Sequence, residues 1–284
     1  MSEVISVLRE VFTGRGGRWH AAAAVLLGIL GMGLWAGALA TESVSGAQGG
    51  QGAQSQTPAD EPVKLGMPYV VPPHVPGSKV RTPEGLAPLL AERLGKTRPV
   101  EPVALPSSNA AVWLLPLSAE EAAAQKGEVI ATGYRAGIMA IMRTDTDIKQ
   151  WEDLRGRTVC LAEGSGLAGS MQARYGAFEK VLRAPADALL DLRIGGCDAT
   201  VHDSTMLHAL LEFPEWQKFS ARLPVQDERE LAFVVPGNDA QLVRELSAQV
   251  AAWHDEALLS KLTKQSARDI AFEVYLDQEV PDCH

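Results

Sequence analysis

The chain has 284 residues, 46% of them hydrophobic and 21% charged, with a formal net charge of −9; this is the make-up of a globular protein of one or two domains. An acidic balance leaves no basic face for phosphates and argues against a nucleic-acid partner. Three cysteines, Cys160, Cys197 and Cys283, cannot all pair and match no metal-ligand spacing, so no metal or other cofactor is expected; one disulfide, for example from Cys283 to one of the others, stands beside buried free thiols as the alternative.

Residues 1–20 contain Arg9, Arg15 and Arg18 and read as a cytoplasmic n-region. Residues 21–40, AAAAVLLGILGMGLWAGALA, carry no charge and are long enough to cross a bilayer core of about 30 Å. The arginines before this segment and Glu42, Asp60 and Glu61 after it place the rest of the chain outside, by the positive-inside preference. Ala38-Leu39-Ala40 fits a signal-peptidase site, whereas the long n-region and long apolar stretch fit an uncleaved anchor in the inner membrane. Residues 41–61, rich in Gly, Gln and Ser, form a linker, and the folded part begins at Pro62.

A first strand is expected over Lys64–Val71, stopped by Pro72-Pro73. A helix over Leu86–Gly95 follows from apolar residues at helical spacing, then strands over Val100–Leu105 and Ala110–Leu115. Ser118 is the N-cap of the next helix, with Glu120 and Glu121 in its first turn. Strands at Ile138–Met142, Thr158–Ala162 and Asp198–His202 then alternate with helices at Gln150–Leu154, Gly166–Tyr175, Pro185–Leu192 and Thr205–Leu211. This α/β alternation implies parallel pairing with functional loops at the carboxyl ends of strands. A strand at Leu231–Val235 and an amphipathic helix over Ala240–Leu258 complete the pattern; no internal repeat is visible.

Three ordered passages carry a resemblance: Trp151–Gly166 (WEDLRGRTVCLAEGSG), Ala186–Asp203 (ADALLDLRIGGCDATVHD) and Leu231–Leu246 (LAFVVPGNDAQLVREL). They resemble the family 3 extracellular solute-binding proteins, the periplasmic binders of polar amino acids. The likeness implies a two-lobed, type II periplasmic-binding-protein-like α/β fold. Residues 62–136 would begin lobe 1, 137–226 form lobe 2, and 227–284 return to lobe 1 and supply the C-terminal helices. Hinge strands would fall near Thr132–Gly137 and Val225–Leu231. Between Gly95 and Asn109 there is no room for the usual crossover helix, so the first lobe is shortened.

By the same resemblance, Asp203 matches the ammonium-binding aspartate and Gly164-Ser165 the turn that meets the ligand at a helix N-terminus. Each has a plainer reading as a helix cap. Ser118-Ala119-Glu120-Glu121 aligns with Thr-x-x-Arg, so Glu121 replaces the arginine that would clamp a carboxylate; a capping box with Ser118 is its structural alternative. Two facing carboxylates, Glu121 and Asp203, point to a cationic or amine-bearing ligand. Tyr69 and Trp113 are candidate aromatic platforms or core residues, and His74 lines the cleft or simply lies on the surface. His202 and His208 lack a third ligand for a metal.

The leading expectation is a non-enzymatic, periplasmic solute-binding protein that delivers a small polar solute to an ABC permease. A tethered accessory or sensor-like domain that has lost amino-acid binding is the alternative. A dehydratase-type enzyme, with Glu121 or Glu163 as general acid, ranks third because no catalytic motif stands out.

Overall fold

The structure is a computed structural model that describes residues 61–107 and 109–278. The expected n-region, the apolar segment 21–40, the linker up to residue 60 and Cys283 lie outside the described residues. Among the described residues, no helix is long and apolar enough to cross a membrane.

VKLGM points Val63, Leu65 and Met67 to one face and forms β1 (Val63–Met67), a strand buried at every position but Lys64. It ends at Met67, short of the expected Val71, because Pro68 and the Pro72-Pro73 pair cannot continue a ladder. Residues 68–86 leave the sheet as a long strap before α1 (Ala87–Gly95). β2 (Val100–Ala104) and β3 (Val112–Leu117) flank β1, both parallel to it. No helix lies among the described residues of the connection 105–111, as the short spacing there required. A capping box at Ser118 starts α2 (Ala119–Ala123).

β4 (Glu128–Met142) follows and runs from one half of the molecule to the other. Its first part pairs antiparallel with β9 (Gln226–Val235), and its last part pairs with β7 (Ala199–Asp203) and β8 (Ala221–Arg222). Between the two parts the register with β9 shifts twice, after Ala131 and after Ala136, and Gly133 takes φ +80°, which glycine adopts without a Cβ penalty. Of the expected hinge stretches, Thr132–Gly137 falls within β4, and Val225–Leu231 starts one residue before β9.

In the second half, β5 (Thr158–Ala162) is flanked by β6 (Phe178–Leu182) and β7, both parallel to it. Helices α3 (Ser170–Tyr175), α4 (Pro185–Arg193) and α5 (Ser204–Leu210) accompany these strands. The chain ends in α6 (Ala240–Asp255) and α7 (Leu258–Asp277), separated at Ala257, whose φ is 51°.

The strand order is β2-β1-β3-β9-β4 in the first half and β6-β5-β7-β4-β8 in the second. Each half has three parallel strands with the earliest in the middle, then one antiparallel crossing strand, then one more. One topology therefore occurs twice without a sequence repeat, and β4 and β9 join the copies. This is the α/β, periplasmic-binding-protein-like architecture that the sequence led us to expect. Each half has its own buried core, one around Leu65, Leu90, Phe233 and Trp253, the other around Ile141, Leu189, Leu207 and Trp216. Helix α7 serves both: Leu258, Leu259 and Leu262 pack on the first, Ala267, Ile270 and Val274 on the second.

Candidate functional site

The carboxyl ends of β1, β5, β6 and β7 meet between the halves, where open α/β sheets place their ligands. Asp203 ends β7 and caps α5. Its Oδ1 accepts from the Thr205 amide at 2.8 Å, the Thr205 hydroxyl at 2.7 Å and the Met206 amide at 3.2 Å; its Oδ2 accepts from the Tyr134 hydroxyl at 2.7 Å. Burial pushes the Asp203 carboxyl above its ordinary value, with the charge of Glu84 adding to the rise and the bonds from Thr205 and Tyr134 opposing it. Burial, and then the charge of Asp203, drive the Tyr134 hydroxyl well above the usual phenol range.

Glu84, on the strap, is the residue that sequence reasoning missed. It is buried, with Oε2 2.7 Å from His202 Nδ1 and Oε1 accepting from the Asp203 amide at 3.3 Å. The far side of the fully buried His202 ring, Nε2, lies 2.8 Å from the Thr200 hydroxyl, which itself donates to the Cys160 carbonyl at 3.1 Å. A proton lies between Nδ1 and Glu84, since two lone pairs at 2.7 Å would repel. The pair holds one proton in a dry place, and it ties the strap to β7.

Beside this pair lies a cavity of about 290 Å³ whose lining includes Tyr69, His74, Arg81, Glu84, Glu163 and Arg183. Glu163 and Arg183 directly follow β5 and β6, whose last paired residues are Ala162 and Leu182, so the register brings them side by side. The Tyr69 ring covers Gly164: a Cβ there would lie 2.5 Å from the ring, at φ +83°. Burial raises the Tyr69 hydroxyl, as does the charge of Glu163, while Arg183 lowers it. Arg81 is committed to Asp187, Asp277 and Glu273. Among the described residues, Arg183 donates to the Lys79 carbonyl at 2.5 Å and pairs with no acidic group. Among the described residues, the Glu163 carboxylate makes no hydrogen bond or ion pair.

The structure thus brings together Tyr69, His74 and, through Tyr69, Gly164. Trp113, Ser118, Glu121, Ser165 and Asp203 are not among the residues lining this cavity. Trp113 covers Gly66 and packs against Leu117, Ala232 and Val234. The Ser165 hydroxyl accepts from the Leu167 amide. Ser118 and Glu121 form the reciprocal capping box of α2, and both oxygens of Glu121 accept from Arg229, at 2.9 and 2.7 Å. Burial alone would raise the Glu121 carboxyl, but the Ser118 amide and Arg229 outweigh it and hold it below its ordinary value. Of the two carboxylates expected to face each other, Glu121 is already paired with Arg229 and Asp203 already accepts from four donors.

Cys160 and Cys197 form a disulfide with Cα atoms 5.9 Å apart, which corrects the option of a bond to Cys283. Asp191 Oδ2 approaches both sulfurs, at 3.2 and 3.1 Å, and meets Lys180 Nζ at 2.7 Å. With both sulfurs bonded to each other, this cluster offers a metal no thiolate.

No family model matches the chain, and no curated protein does. Similar solved structures include a mutant of ArgBP from T. maritima, 19% identical over 71% of this chain and 92% of that one, with a TM-score of 0.46. A substrate-binding protein of an amino acid ABC transporter is 18% identical over 72% and 98%, with a TM-score of 0.47. The GluR0 ligand-binding core in complex with L-glutamate is 16% identical over 73% and 98%, with a TM-score of 0.45. What identifies the fold is the strand order.

Proposed function

We propose that the chain is a non-enzymatic, extracytoplasmic solute-binding protein that captures a small polar solute between two lobes for an ABC-type importer. Residues 62–136 and 227–262 would form one lobe and 137–226 the other, which the Ala267–Val274 part of α7 joins by its packing, with hinges about Thr132–Gly137 and Val225–Leu231. The observation that carries this reading is the cavity between strap and second half, in which, among the described residues, the Glu163 carboxylate has no hydrogen bond or ion pair and Arg183 meets a carbonyl but no acidic group. A solute with an amine for Glu163 and an acceptor for Arg183, resting on Tyr69, fits that remainder. The disulfide supports an oxidising, periplasmic location, as do the apolar segment 21–40 and the charges around it. A general acid needs a carboxyl raised toward neutrality, and Glu121 is held in the opposite direction, which counts against a dehydratase using it.

A thermal-shift screen of the full chain against amino acids, polyamines and other small amines tests the proposal. A hit should lose about tenfold or more in affinity in Glu163→Gln, the loss of roughly one charge-assisted hydrogen bond, and Glu121→Arg should leave it unchanged. Silence across the panel would favour the second reading, a tethered accessory domain. The filling of the space around His202 and Asp203 by Glu84 supports that alternative.

A further inference from the structure

The strap, residues 68–86, does more than line a cavity, because its polar side chains bind the opposite half and the end of α7. Glu84 pairs with His202 in the interior, with side-chain exposures of 5% and 0%. Arg81, 12% exposed, reaches Asp187 on α4 at 2.7 Å and also pairs with Glu273 and Asp277 on α7. The Thr82 amide and hydroxyl both donate to Glu273, at 2.8 and 2.7 Å. Lys79 pairs with Asp277, and its carbonyl accepts from Arg183. Glu273 and Asp277 flank Val274, which is buried in the core of the second half, so these contacts all fasten the strap to that half.

A trap closed by its solute must prefer the open state when empty, since a ligand shifts an equilibrium only by its differential affinity for the two states. Here the crossing contacts pair the strap's side chains with groups of the protein itself. Two of them are largely dry, and breaking either leaves a poorly solvated polar or charged group without its partner, which is what makes such contacts costly to separate. From the other side, α7 packs on both cores.

We propose that the strap is a built-in latch that holds the two halves together in the absence of solute, so that the cleft opens only when residues 79–84 let go. The latch does not depend on which solute binds or on whether one does.

Pulsed electron–electron distance measurement on the full, solute-free chain tests it. Spin labels go on Ser247→Cys in α6 and Ala173→Cys in α3, both exposed, with Cys283→Ser in the background. The expected result is one narrow distance for the otherwise native chain, and a longer or broader distribution when Arg81→Ala and Glu84→Gln are added. A broad or open distribution in the native background overturns the proposal, as does an unchanged one in the folded double variant. Should the double variant not fold, hydrogen exchange on the native chain decides: the Thr82 and Asp203 amides should exchange at least about tenfold more slowly than the exposed His74, Val75 and Gly77 amides, and equal rates overturn it. Because no solute is present in either measurement, failure to find a ligand leaves the outcome untouched.

Discussion

Asp203 accepts four hydrogen bonds, and its substitution separates a structural role from a binding one. Asp203→Ala removes the cap of α5 and leaves the Tyr134 hydroxyl with Thr205 alone, so we expect a loss of about 1–3 kcal/mol in urea unfolding. Asp203→Asn keeps an acceptor for the cap and should lose less. Its pH dependence follows from the raised carboxyl: the folded state holds that proton more tightly than the unfolded one, so the contribution is present at low pH and lost as pH rises through the raised value. Unfolding at pH 4 and pH 7 should therefore show Asp203→Asn gaining on the native protein at the higher pH; a constant difference would contradict this. Gly164→Ala combines a left-handed backbone with a Cβ inside the Tyr69 ring, and a cost of about 1–3 kcal/mol in thermal unfolding is expected. Asp203 and Gly164 were singled out by the passages that resemble a known family, and Tyr69 by its aromatic ring. Glu84 was not, because its partner His202 is 118 positions away and nothing in PEG beside a helix start announces a buried carboxylate.

Among the elements, those that bury a regular face were the readable ones: β5, β7, α1 and α6 fall within a residue or two of expectation, apart from the C-terminus of α6. That helix was expected to reach Leu258, but the left-handed Ala257 stops it and starts α7, whose Leu258, Leu262, Ile270 and Val274 spacing was a signal left unread. β6 escaped because FEKVL is an edge strand with Phe178 and Val181 exposed, so no buried alternation marks it. β4 was read only at its C-terminal end. Its middle crosses between the halves, and TGYRAG is correspondingly mixed in burial. The disulfide ties β5 to the turn before β7 across a separation of 37 residues. Replacing both cysteines by serine should cost about 3–4 kcal/mol on the chain-entropy account, read as a lower denaturation midpoint. Thiol titration of the unfolded native chain should find Cys283 alone as a free thiol.

The molecule as a whole is two copies of one topology laced together by β4, β9 and α7. Such lacing should make unfolding cooperative across both halves. Trp253 lies in the first core and Trp216 in the second, so single-tryptophan reporters at each should give coincident urea transitions; separated midpoints would show the halves to be independent. The fold was legible because alternation of elements constrains topology strongly, whereas the packing of the strap across the cleft depends on side chains distant in sequence. The lacing also bears on synthesis. β9 is an interior strand of the first half, lying between β3 and β4, yet it is made after every strand of the second. In a growing chain the half that comes later in sequence therefore has all its strands first. The earlier half waits with one flank of β3 unpaired until Val235 has emerged, an interval in which a chaperone or an export channel would meet an unfinished sheet.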